Sequence, residues 1–180
     1  MSQLTQFRLL ADYNQWMNHK IYTAAARLNE TALKQDRGAF FGSILGTLNH
    51  LVVADLIWLK RFAAIEACAS VLAPVAAQPD PTSLAQCIFE DLAQLTDYRQ
   101  WLDKQIIYLL QALQESDLAG TLTYRNTKGA TYQKPFASLL THLFNHQTHH
   151  RGQISTLLSQ AGEDLGATDL VLLVDDIEKA

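Results

Sequence analysis

The sequence predicts an all-α four-helix bundle forming a single domain over residues 1–180, and three observations lead there. Four long stretches place apolar residues at three- and four-residue steps, the signature of helices that each bury one stripe. The breakers Pro74, Pro79 and Pro81 cluster between the second and third stretches rather than inside them. The composition, 48% hydrophobic and 18% charged over 180 residues, is globular and large enough for one sizeable core.

The first helix is expected from about Gln3 to Leu28, where Phe7, Leu10, Tyr13, Met17, Ile21, Ala24 and Leu28 share a face. The second spans roughly Phe41 to Ile65 and is apolar around most of its circumference. Val53 and Ile57 lie opposite Leu48 and Leu59, a face expected to stay exposed and meet a second copy in a homodimer. The proline-rich linker EACASVLAPVAAQPDPTS follows. Extended chain covers ~3.3 Å per residue against ~1.5 Å for a helix, so this linker can cross the bundle and let helices two and three run parallel. Thr82 or Ser83 is expected to cap the third helix, with Ser83 and Gln86 in capping-box spacing and an apolar row from Leu84 to Leu113. The alternating stretch TLTYRNTKGATYQ predicts a small β-hairpin turning between Asn126 and Gly129. The fourth helix should open at Pro135 and stop at Gly162. Leu170 to Val174 reads as a short element packed on the bundle.

Several function classes are disfavoured. With 14 Lys+Arg against 18 Asp+Glu the net charge is −4, and no basic stripe is interleaved with aromatics, which argues against a nucleic-acid partner. Cys68 and Cys87 make neither a CxxC pair nor a disulfide framework. No run approaches the ~20 apolar residues of a membrane span, and the N-terminus lacks a signal-peptide pattern, so a cytoplasmic protein is expected.

Chemistry concentrates in THLFNHQTHHRGQ, which holds His142, His146, His149 and His150, four of the six histidines. Advancing 100° per residue puts His150 inside the apolar arc of Phe136, Leu139, Leu140, Leu143, Ile154, Leu157 and Leu158. His146 lies at the shoulder of that arc, while His142 and His149 fall toward solvent. His146 and His150 are four apart, so two imidazoles stack on adjacent turns and can converge on one divalent ion. The competing reading is a pair of core histidines with ordinary partners. A third ligand can come from His19, beside Lys20, or from His50 on the second helix, and periodicity does not decide between them. Asp55 falls in an apolar arc with Leu48, Leu51, Leu59 and Phe62. A carboxylate there needs a partner, either a histidine nitrogen or Arg151.

The run NHQTHHRGQ, with NHLVVADLIW on the second helix and YNQWMN on the first, resembles the DinB-like superfamily of small bacterial proteins. The resemblance extends over nearly the whole chain, to the Gly129 hairpin and the late TDL, and HxxxHRGQ is its specific part. It implies a four-helix bundle of up-down-down-up topology with a long crossover, usually a homodimer. It also implies a divalent metal, zinc or nickel among others, on three histidines that correspond here to His50, His146 and His150.

Such a site leaves coordination positions open, where a metal lowers the pKa of bound water or ionises a thiol. Characterised members of the superfamily include transferases and isomerases using bacillithiol, mycothiol or glutathione. A metal-dependent thiol transferase acting on small electrophiles is therefore one expectation, and a non-catalytic metal-binding protein of the stress response is the alternative. Spacing reveals no general base. Asp55, His149 and Tyr124 qualify by residue type, Arg151 as an anion-binding group, Gln153 as an orienting one, and Trp16 and Trp58 as pocket walls.

Overall fold

The structure, a computed structural model, describes residues 2–126 and 129–176. Four long helices dominate: α1 Gln3–Ala25, α3 Ile44–Phe62, α6 Leu92–Ala112 and α7 Phe136–Gln160. Short helices α2 Glu30–Lys34, α4 Glu66–Ala69 and α5 Ala73–Ala76 lie in the connections. An antiparallel hairpin, β1 Thr121–Arg125 paired with β2 Thr131–Pro135, precedes α7. Thr127 and Lys128, in the expected turn, lie outside the described residues.

Side-chain pairings fix the topology. Asn49 of α3 bonds to Phe89, just before α6, and Asp55 pairs with Arg99, so α3 and α6 run parallel. His50 meets His150 while Phe62 meets Phe136, so α3 and α7 are antiparallel. Arg8 reaches Leu110 and Asn14 reaches Asp103, which makes α1 and α6 antiparallel. The bundle is up-down-down-up, and the crossover between α3 and α6 carries the chain back along its length. The core between the helices is built from fully buried Ile21, Leu48, Leu59, Phe62, Leu102, Ile106, Phe136 and Leu140.

Helix boundaries moved where tertiary contacts outweighed local signals. The first helix ends at Ala25 rather than Leu28, because Asn29 caps α2 through Ala32 N–H, yet Leu28 still packs on the core. Helix α3 starts at Ile44 behind Ser43, which accepts from Gly46 N–H, and Gly42 turns the chain before it at φ 75°. The largest shift is in the third helix. Its cap is Asp91, accepting from Gln94 N–H, and Thr82 and Ser83 cap nothing helical. Gln86 accepts from Thr82 instead of closing a box on Ser83. Residues 84–89 stay irregular because their backbone groups are taken by side chains of α3. Helix α7 ends as expected, with Gly162 at φ 88° and Glu163 N–H reaching Leu158 O at 2.9 Å.

One expectation about surfaces holds in part and one fails. The tail element is a 3-10 turn, Leu170–Leu173, that rests on α1 with Leu170 and Leu173 half-buried, while Val171, Leu172 and Val174 stay exposed. On α3, Val53 and Ile57 do not form a free apolar face. Val53 is fully buried and Ile57 half-buried within one chain, where α5 of the crossover packs on α3. That face therefore gives no reason to expect a dimer contact.

The crossover also separates the two thiols. Cys68 is buried, and burial pushes its thiol up to about 12, while Cys87 is exposed. Because the thiolate is the reactive form, iodoacetamide at pH near 8 is expected to modify Cys87 in the native protein and Cys68 only after denaturation. Mass spectrometry of the intact chain before and after urea checks this, and double labelling under native conditions would contradict the packing of the crossover.

Candidate metal centre

Helices α3 and α7, antiparallel neighbours, bring three imidazoles to one point. His50 Nε2 lies 3.3 Å from His146 Nε2 and 3.2 Å from His150 Nε2. Among the described residues, no carboxylate or cysteine joins this group. The outer nitrogens explain why the inner ones face each other. His50 Nδ1 lies 2.8 Å from the Leu84 carbonyl, which can only accept, so Nδ1 carries the proton and Nε2 a lone pair. His150 Nδ1 lies 2.8 Å from Gln153 Oε1, again an acceptor, and the same tautomer follows. Two lone pairs thus point at each other, with the third ring alongside.

Such an arrangement is unfavourable for bare imidazoles and favourable around a cation. With Zn–N bonds of ~2.0–2.1 Å, the edge of a tetrahedron is about 3.3–3.4 Å. The observed separations of 3.2 and 3.3 Å match that edge. His146 Nδ1 is buried without a hydrogen-bond partner, so this ring has a polar nitrogen to spare whichever tautomer it adopts. Burial, followed by the neighbouring rings His150 and His50, pulls His146 down to about 3. Burial lowers His50 and His150 as well. All three are neutral near pH 7 and can donate lone pairs. The residues fit a divalent cation.

Aromatic packing holds the cluster. Phe41, in the turn before α3, stacks on His50 with ring centres 3.8 Å apart and planes 16° from parallel, and meets His150 edge-on at 5.7 Å. Phe40 beside it is 87% exposed and touches Phe41 edge-on. His142, on the outer side, packs against Trp58. His149 is also exposed, 3.4 Å from the Gln153 amide nitrogen. Trp58 and Tyr124 form an aromatic pair that Arg61 covers.

The other sequence candidates go elsewhere. Asp55 pairs neither with a histidine nor with Arg151 but with Arg99, whose Nη1 donates to Oδ2 at 2.6 Å. Arg99 also faces Asp103 at 3.0 Å, and Asp103 accepts from Asn14 and Asn18. Arg151 is not an anion site beside the histidines. It is 4% exposed, donates to Asn14, Gln147 and Thr148, and lies over Tyr13 of α1. Burial lowers its pKa to about 10, so it stays charged. Sequence reasoning missed Arg99 and Asp103 altogether. A signal existed, since they sit four apart among the apolar positions Leu95, Leu102 and Ile106. Phe41 and the Leu84 carbonyl left no signal, because neither lies in a regular element.

A four-helix bundle with a long crossover and three inward histidines able to hold a metal ion is the class that this fold and site define. The model of the DinB family matches residues 1–179, and the chain belongs to that family. It is 29% identical over 173 residues to Protein DinB of Bacillus subtilis, a match covering 95% of this chain and 96% of that one. The crystal structure of a DinB-like protein from Bacillus cereus is similar in fold, with a TM-score of 0.54 at 21% identity over 92% of this chain and 94% of the other. No described helix is long and apolar enough to cross a membrane.

Proposed function

We propose that this protein holds one divalent cation, zinc or nickel, on His50, His146 and His150, and transfers a low-molecular-weight thiol to small electrophiles there. The carrying observation is that three ligand nitrogens cluster, with His50 Nε2 a tetrahedral edge from both His146 Nε2 and His150 Nε2, and that outer hydrogen bonds leave the Nε2 of His50 and His150 as lone pairs. When bound, the cation would lower the pKa of a coordinated thiol or water toward neutrality. Three neutral imidazoles add no negative charge, so they leave the full charge of the ion to act on that group. The Leu84 carbonyl and Gln153 hold the rings in register, and Phe41 covers one face of His50 against water. In the reaction the sulfur forms a bond to the electrophilic carbon, the leaving group departs with its electron pair, and the thiol proton passes to solvent.

Metal-loaded, untagged protein incubated with a chloronitroaromatic and a panel of bacillithiol, mycothiol and glutathione is the direct test. Conjugate should form faster than in the absence of protein with at least one thiol, and this gain should vanish with a chelator. Full metal occupancy without any acceleration would favour the non-catalytic, metal-binding reading.

A further inference from the structure

The ligand end of α3 is coupled to the crossover through two adjacent side chains. His50 donates to the Leu84 carbonyl at 2.8 Å, the one hydrogen-bond partner of its outer nitrogen among the described residues. Leu84 itself gives no anchorage, since its side chain is 46% exposed. What fixes that stretch is Asn49, which is 1% exposed and uses both ends of its amide. Its Oδ1 accepts from Ile88 N–H at 2.8 Å and Phe89 N–H at 3.1 Å. Its Nδ2 donates to the carbonyls of Leu45 and Phe89, both at 3.0 Å. An irregular segment has no ladder of its own to occupy these groups, and an asparagine inside an apolar helix is costly unless every bond is made. Here every bond is made, and three of the four go to the crossover.

We propose that Asn49 is a positioning residue of the histidine site: by pinning residues 88–89 it holds the Leu84 carbonyl on His50 Nδ1, and so keeps His50 Nε2 directed at His146 and His150. The inference rests on the metal reading above for its consequence, but not for its geometry. Partners of this kind set the tautomer and ring orientation of a metal-ligating histidine, and losing one typically costs about 10–100-fold in metal affinity. Asn49 does so at one remove, through the chain it anchors.

The experiment compares wild type with N49A, N49D and I88A, using zinc affinity by chelator competition and ring nitrogen chemical shifts of His50 in the metal-free protein. N49A is expected to bind zinc about 10–100-fold more weakly and to shift His50 from the Nδ1–H form toward a tautomer mixture. N49D retains the acceptor for Ile88 and Phe89 N–H, so it should recover most of the affinity and the wild-type tautomer. I88A removes packing but no hydrogen bond, so it should lower stability while leaving both readouts unchanged. The proposal is overturned if His50 keeps the Nδ1–H form in folded N49A, or if I88A moves both readouts as far as N49A does. Should N49A not fold, N49D decides, because a tautomer disturbed as strongly as in an unpinned segment would exclude the acceptor-based clamp. A wild type that binds no zinc would defeat the metal reading, and the tautomer measurement would still judge the clamp.

Discussion

His150→Ala is expected to abolish stoichiometric metal binding while leaving the metal-free bundle folded. His150 contributes one of three converging lone pairs, and its ring is 9% exposed with its outer nitrogen on Gln153. Losing a ligand should cost more than the roughly 10–100-fold lost with an outer partner. The same change relieves the facing lone pairs of His50 and His150, so the metal-free variant should melt close to metal-free wild type. The contrast lies in the response to metal. At a hundred times its Kd, zinc should add about 2.7 kcal/mol to wild type, or roughly 5–11 °C for a chain of this size, and almost nothing to His150→Ala. His142→Ala and His149→Ala should respond like wild type, since both side chains are exposed and outside the cluster. Thermal melts with and without added zinc, with elemental analysis of the purified variants, decide it. Equal metal content in wild type and His150→Ala would remove His150 from the site.

The sequence showed this site only in part, and the reason is geometric. His146 and His150 share one helix, where a fixed rotation per residue converts spacing into direction. His50 lies on a helix buried around most of its surface, so periodicity carries no orientation there, and only family resemblance selected it over His19. The bundle itself was legible because four long amphipathic stretches admit few packings. The start of α6 was not: Ser83 and Gln86 make a local capping pattern, but Asn49 and His50 claim the backbone of 84–89 first. A pattern read within a few residues cannot register a competitor from another helix.

The polar core was the least legible part. Asp55 was recognisable as a carboxylate needing a partner, yet two arginines could supply one. Arg151 is the cation near the histidines in sequence, whereas Arg99 faces Asp55 across the bundle because α3 and α6 run parallel. Choosing between them required the crossover topology. Arg151 is instead absorbed by Asn14 and Tyr13, which tie α7 to α1.

That core should dominate stability, and Arg99→Met is the change expected to damage it most. Arg99 is among the largest fully buried side chains and faces both Asp55 and Asp103. Removing its charge leaves two buried carboxylates without their counter-ion, and breaking a buried pair costs about 3–5 kcal/mol. Asp103 keeps hydrogen bonds from Asn14 and Asn18, whereas Asp55 loses the only hydrogen-bond partner its carboxylate has among the described residues. Burial already pushes Asp103 up to about 6 against the pull of Arg99, so its carboxyl should rise further in the variant. A carboxyl raised in the folded state binds a proton where the unfolded chain, near its ordinary value of about 3.9, has released it. Stability is therefore lost as pH rises through that window, and the deficit of Arg99→Met should be largest near pH 8 and shrink toward pH 5. Urea midpoints at the two pH values measure this, and a deficit below about 1 kcal/mol at pH 8 would show that the pair is not the buried unit described. Adding Asp55→Leu to Arg99→Met should restore part of the loss, because it removes the stranded charge. Asp55 and His50 stand on the same helix, so an ion pair that fixes α3 against α6 also fixes where α3 presents His50 to α7. Metal affinity in the double variant then separates the two contributions: a folded protein that binds zinc weakly would assign the pair to site geometry, and one that binds at full strength would assign it to stability alone.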